Sequence, residues 1–279
     1  MSRYFILSDI HIDFYCSYES QKTYNDYVKE FESVYNVYFN KNAENLIIAG
    51  DICNIHTMGC YFLDFISTKY EKVYLVFGNH DLLVKHNSTV PFSKSSERIK
   101  YIKSYIKDFK NVHLLDGNVV DGIGGCMGMC DFSYKPVSNI DYYTLWRTRW
   151  FDGIMWNHTN QDQPHKIWKY YEQKMHKVLD KNPKVFITHF IPIQMGMAEK
   201  YKNSCSSCFF YMDGEQFLDR MGDDTYWICG HTHSSWKTDY VNKNGNTIHI
   251  LCNPLGYPYE STYKIKEIKD MQKKFTVNI

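Results

Sequence analysis

Residues 73–81 read Val73-Tyr74-Leu75-Val76-Phe77-Gly78-Asn79-His80-Asp81. An unbroken apolar run of this length is what a strand buried on both faces requires, and the glycine and polar residues after it mark the loop at its carboxyl end. The same shape occurs twice earlier, where Tyr4-Phe5-Ile6-Leu7 runs into Ser8-Asp9 and Leu46-Ile47-Ile48-Ala49 runs into Gly50-Asp51. Between those two runs Tyr24, Tyr27, Val28, Phe31, Val34, Tyr35 and Tyr38 recur at helical spacing, with Lys and Glu on the other face, which predicts an amphipathic crossover helix. Further helices are expected from about Met58 to Thr68 and from about Ser95 to Phe109. Strand and helix therefore alternate, which predicts an α/β fold with parallel pairing.

The pattern breaks at 122–131, where Gly122, Gly124, Gly125 and Gly128 interrupt short apolar pieces. An aromatic-rich stretch follows to about Pro164, and we read 131–164 as an insertion over the body. A helix from about His165 to Leu179 and strands Val185–Thr188 and Thr225–Cys229 resume the alternation, with a short helix over Asp213–Met221. Trp236–Val241 and Thr247–Leu251 flank Asn244-Gly245, a strong hairpin signal. With no repeat and no linker, residues 1–279 read as one domain.

The chain of 279 residues is 44% hydrophobic and 23% charged, so neither disorder nor a repeat fibre describes it. Thirty-two Lys and Arg against 31 Asp and Glu leave a formal charge of +1, which weighs against a dedicated nucleic-acid binder. No run reaches the roughly 18 apolar residues of a membrane span, and Met1–Ser8 is too short for a secretory signal. Nine scattered cysteines read as reduced thiols, and a cytoplasmic protein is expected.

Metal-type side chains stand beyond five predicted strands: Asp9 and His11, Asp51, Asn79-His80-Asp81, His189, and His231 with His233. The carboxyl ends of strands in an open α/β sheet converge on one crevice, so these residues can meet there. Residues i and i+2 of an extended chain share a side, which would bring Asp9 with His11 and His231 with His233 to one place. Seven candidate ligands, Asp9, His11, Asp51, Asn79, His189, His231 and His233, exceed the needs of one catalytic ion and suit two ions sharing a carboxylate. Imidazole mixed with carboxylate and amide oxygen favours Mn²⁺, Fe²⁺, Zn²⁺ or Ni²⁺ over Ca²⁺.

In this order the blocks D-x-H, G-D, G-N-H-D, a lone His and G-H-x-H resemble the calcineurin-like metallophosphoesterase superfamily, and Asn253-Pro254-Leu255-Gly256-Tyr257 looks like its closing segment. The resemblance implies a β-sandwich of two mixed sheets flanked by helices, four layers in all. It implies that Asp9, His11 and His233 hold one divalent ion, that Asn79, His189 and His231 hold the other, with manganese the first expectation, and that Asp51 bridges them. His80 would be the general acid and Asp81 would orient it. Two ions against two carboxylates and a bridging hydroxide leave roughly one net positive charge, which attracts a phosphate anion for in-line attack.

Asn54, three residues after Asp51, departs from the acid or the Asp-Arg pair of relatives, and Asp81 stands where the protein Ser/Thr phosphatases have Glu. The expected substrate is therefore a small, nucleotide-type phosphodiester; a phosphomonoester or a nucleic acid is the alternative. A non-catalytic scaffold, as in the retromer subunit of this fold, should have lost ligands that are present here. Cys205-Ser206-Ser207-Cys208 lacks a second pair to complete a zinc site and reads as a loop. Trp146, Arg147, Arg149, Trp150 and Phe151 read as packing of the insertion, and Lys94, Arg98, Lys100, Lys103, Lys107 and Lys110 as a solvated helix face. His56, His86, His158 and His165 receive no role.

Overall fold

The computed structural model describes residues 1–84, 91–197, 199–260 and 267–279. In chain order its first half comprises β1 (Arg3–Leu7), α1 (Tyr24–Tyr38), β2 (Asn45–Ala49), α2 (His56–Ser67), β3 (Lys72–Val76), α3 (Ser95–Ile106), β4 (Val112–Leu114), β5 (Asn118–Val120) and β6 (Ile123–Gly125). Helices α4 (Tyr142–Arg149), α5 (Phe151–Met155) and α6 (Pro164–Leu179) lead to β7 (Val185–Ile187), α7 (Glu215–Leu218) and β8 (Thr225–Cys229). The hairpin β9 (Trp236–Val241) and β10 (Thr247–Cys252) precedes α8 (Ile268–Lys274) and β11 (Thr276–Asn278).

One sheet has the order β11-β1-β2-β3-β4 and the other β5-β6-β7-β8-β10-β9. Strands β1 to β4 run parallel, as do β6, β7, β8 and β10, while β11, β5 and β9 pair antiparallel, so both sheets are mixed. Strand alternation builds the layers. Val185 and Ile187 join Ile6, Ile47 and Val76 in the core between the sheets, whereas Phe186 points the other way, to Met175 and Val178 of α6. Phe31 of α1, Phe62 of α2 and Met271 of α8 pack on the first sheet. This is the expected four-layer sandwich. Helix α1 begins in a capping box, the Thr23 N–H donating to Asp26 at 2.7 Å, worth about 1 kcal/mol.

Two expectations need correction. The glycine-broken stretch 122–131 contains β6, which lies between β5 and β7; Gly125 is required there because a Cβ would sit 2.3 Å from the Ile187 carbonyl oxygen. Glycine at such a contact erases the apolar signal of a strand. Arg98 is not on a solvated face: it is fully buried and donates to the carbonyl oxygens of Asn54 (2.9 Å), Leu83 (2.7 Å) and Cys53 (2.9 Å). Among the described residues no helix is long and apolar enough to cross a membrane. The nine cysteines are free thiols, and Cys205–Phe209 forms a short 3₁₀ turn.

Candidate metal centre

The two sheets turn the carboxyl ends of their parallel strands to one side, and the expected ligands stand just beyond them. Asp9 and His11 follow β1, Asp51 follows β2, Asn79 follows β3, His189 follows β7, and His231 and His233 follow β8. The segment after β10 ties the sheets together at this point, because Ser8 donates its N–H to the Asn253 carbonyl and accepts from Leu255 N–H, each at 2.9 Å. Asn253 Nδ2 also donates to the Ile6 carbonyl at 2.7 Å.

Three overlapping groups of potential ligands result: Asp9, His11 and His233; His11, Asp51 and His80; and Asp51, His189 and His231. Asp51 Oδ2 lies 3.2 Å from His189 Nε2 and 3.7 Å from His11 Nε2, between the outer groups. Asn79 Oδ1 reaches His189 Nε2 at 2.8 Å, and the Nε2 atoms of His11 and His233 stand 3.2 Å apart. The pairs Asp9/His11 and His231/His233 do converge, but not as extended chain. All four have left-handed φ, at 49°, 44°, 70° and 48°, as does Asp51 at 57°. Such conformations cost about 1 kcal/mol or more each outside glycine. Gly78 has no room for a side chain, since a Cβ would meet Asp51 Oδ1 at 2.1 Å.

The donor set fits divalent cations. Asp51 Oδ2 is buried without a hydrogen-bond partner, while Oδ1 accepts from the His80 N–H at 2.8 Å. His189 Nδ1 donates to the Ala49 carbonyl at 2.7 Å and His231 Nε2 to the Phe209 carbonyl at 3.2 Å, leaving one bare nitrogen on each ring. His233 Nδ1 faces Glu260 at 2.5 Å and so keeps Nε2 for the cluster. Burial raises the Asp9 carboxyl above its ordinary range, against the pull of His233 and His189. Burial acts the same way on Asp51, but His189, His80 and His11 outweigh it and hold this carboxyl well below its ordinary range. Burial likewise opposes charge on His189, yet Asp51 and Asp9 raise it to about 10, so the centre favours a positive charge between its carboxylates.

His80 stands beside this cluster, and burial lowers its imidazole to about 4 despite the facing Asp51. Asp81 does not orient it. The Asp81 carboxylate accepts the N–H groups of Gly78 (2.8 Å), Asp51 (3.1 Å) and Ile52 (3.1 Å), tying together the loops after β3 and β2. The partner of His80 Nδ1 is Asn54 Oδ1 at 2.7 Å, and Asn54 Nδ2 in turn donates to Asp13 at 2.9 Å. The D-x-H-x-D spacing of Asp9, His11 and Asp13 could have flagged Asp13; nothing near Glu260 or Asp152 could have flagged those residues.

A cleft of ≈ 330 Å³ opens over the cluster, walled by Phe14 and Tyr257 on one flank and Trp150, Phe151, Tyr201 and Phe210 elsewhere. Phe151 stacks on His80 with ring centroids 4.8 Å apart, and Tyr257 stacks on His11 at 4.5 Å. Of the motif read as packing, Trp146 is indeed buried against Trp156, Arg147 and Arg149 are exposed, and Trp150 and Phe151 line the cleft. His86 lies outside the described residues.

A family model described as calcineurin-like phosphoesterase matches residues 2–235. No curated protein matches the chain. Among solved structures, the phosphopantetheinyl hydrolase from Mycobacterium tuberculosis superposes with a TM-score of 0.68 over 92% of this chain and 90% of that one, at 15% identity, a likeness of fold. The family model takes in every strand end that carries the cluster, and the chain belongs to the calcineurin-like phosphoesterases, metal-dependent hydrolases of phosphoesters.

Proposed function

We propose that the chain is a phosphodiesterase acting on a small nucleotide-type substrate, with residues 1–279 forming one domain roofed by the insertion 131–164. One observation carries the preference for a diester: among the described residues the cleft lining holds six aromatic side chains, the carboxylates of Asp51 and Glu260, and no Lys or Arg. A monoester dianion calls for cationic side chains beyond the metals, whereas a diester brings a single charge and two organic arms. Aromatic walls suit such arms, since a base or other flat group stacks on them. The same lack of cations disfavours a long nucleic acid.

In this reading Asp9, His11 and His233 hold one ion, Asn79, His189 and His231 the other, and Asp51 lies between, manganese being the first choice. Two such ions supply an activated water at neutral pH and neutralise the phosphoryl oxygens. His80 rests neutral, its Nδ1–H given to Asn54, with Nε2 left for the cleft. An anionic phosphoester beside it raises its pKa, so His80 gains a proton as substrate binds and passes it to the leaving oxygen. Asn54, fixed by Asp13, keeps the ring in place.

The test is turnover of bis(p-nitrophenyl) phosphate against p-nitrophenyl phosphate by chelator-stripped protein reconstituted with Mn²⁺. Faster diester turnover is expected, and monoester-only turnover overturns the reading. A panel of cyclic nucleotides, dinucleotides, an oligonucleotide and a phosphopantetheinyl ester then separates nucleotide arms from the substrate named for the solved neighbour.

A further inference from the structure

Asp152 is 1% exposed and belongs to α5, in the insertion. Its Oδ1 accepts from Asn79 Nδ2 at 2.8 Å and its Oδ2 from Trp150 Nε1 at 3.2 Å. Among the described residues no Lys, Arg or His forms an ion pair with it. Four residues on, Trp156 donates its Nε1–H to the main-chain carbonyl of Asn79 at 2.9 Å. The insertion therefore grips both polar ends of the residue that opens the loop after β3.

A carboxamide is nearly symmetric in shape, so its neighbours decide which end faces where. Both Asp152 oxygens face donors, Oδ1 the Asn79 NH₂ and Oδ2 the Trp150 Nε1–H, which draws the Asn79 NH₂ outward and turns its Oδ1 to the cluster, where it lies 2.8 Å from His189 Nε2. With the amide reversed, two N–H groups would point at the place where a cation belongs. We propose that Asp152 is a positioning residue: it sets the orientation of the Asn79 carboxamide and so makes the insertion a working part of one metal site. The inference rests on the assignment of Asn79 as a ligand.

The experiment is equilibrium dialysis of stripped protein against Mn²⁺, with metal analysis, and electron paramagnetic resonance of the loaded pair. Asp152→Leu removes the acceptor and leaves the Asn79 NH₂ and the Trp150 Nε1–H without it, at some cost in stability. It is expected to weaken one of the two ions by roughly 10–100-fold, leave the other unchanged, and abolish the spin-coupled signal at limiting metal. Should it fail to fold, Asp152→Ser, too short to reach Asn79, carries the same expectation. Asp152→Asn still presents an oxygen to Asn79, because part-exposed Trp150 can give its N–H to water, and it should keep both ions. Normal binding of two ions by the folded Leu or Ser variant overturns the proposal, as does equal loss in the Asn variant. Asn79→Ala is the control. If it too keeps both ions, the assignment of Asn79 is wrong; if it loses one while Asp152→Leu does not, only the positioning role is wrong.

Discussion

Asn54 Oδ1 sits 2.7 Å from His80 Nδ1, and the other end of the same amide is held by Asp13 at 2.9 Å. A neutral amide thus occupies the place where Asp81 was expected. It fixes the ring without adding a charge of its own, and burial outweighs the pull of Asp51 and Asp13 towards a resting imidazolium. Asn54→Ala is expected to lower kcat by roughly 10–100-fold with metal content unchanged. Steady-state kinetics beside metal analysis decide it: unchanged kcat, or loss of metal, speaks against orientation.

Replacement of His80 itself separates acid catalysis from binding. His80→Ala should reduce turnover of a diester with an alkyl leaving group by roughly 10²–10⁴. The loss should be much smaller with p-nitrophenolate, which departs without a proton. Equal losses on both substrates would remove the general-acid assignment.

Burial raises the Asp152 carboxyl to about 7 and the Asp81 carboxyl to about 6, whereas an unfolded aspartate titrates near 3.9. Across the window from about pH 4 to about pH 7 the folded chain keeps protons that the unfolded chain has lost. The contribution of these two carboxyls to the stability of the stripped protein is therefore greatest at the acid end of this window and falls as pH rises through it. Asp152→Asn should flatten the decline. Urea midpoints of wild type and variant at about pH 4.5 and about pH 7.5 measure this, and parallel slopes would contradict it.

Gly78→Ala would force a methyl group to 2.1 Å from Asp51 Oδ1. The strain falls on the carboxylate between the two ligand groups, so loss of bound metal should exceed the roughly 1–3 kcal/mol loss of stability. Titration of Mn²⁺ into the folded variant provides the comparison.

Arg98 holds three carbonyl oxygens from the segments that carry Asn54 and Leu83. Arg98→Ala leaves those acceptors buried and unpaired, at about 3–5 kcal/mol, which chemical denaturation would read directly. A change under about 1 kcal/mol would mean that water replaces the guanidinium.

The cluster was legible because each of its side chains follows a buried parallel strand, and such strands announce themselves as unbroken apolar runs. Tyr4–Leu7, Leu46–Ala49 and Val73–Phe77 need no partner to be recognised. Strand β6 needs one: its glycines make sense only against the Ile187 carbonyl. Arg98 looked like its lysine neighbours because periodicity cannot tell a guanidinium that collects carbonyls from one in water. Asp152 and Asn79 are separated by 73 positions, and no local pattern connects an aspartate in an aromatic stretch with an amide after a distant strand. The left-handed backbone at Asp9, His11, His231 and His233 was hidden for a related reason. Only glycine advertises such a conformation, and here the surrounding structure imposes it on bulkier residues.

Hydrolysis of a diester releases a monoester with close to two negative charges, so the metal pair attracts the product more strongly than the substrate. A wall rich in lysine or arginine would deepen that difference and make departure of the product the slow event. The described lining of this cleft holds aromatic rings and no lysine or arginine. In the proposed diester reaction rings would grip an organic arm but not its charge, so weak product inhibition is the expected consequence, and the catalytic cycle could reset without a conformational change to expel what it has made.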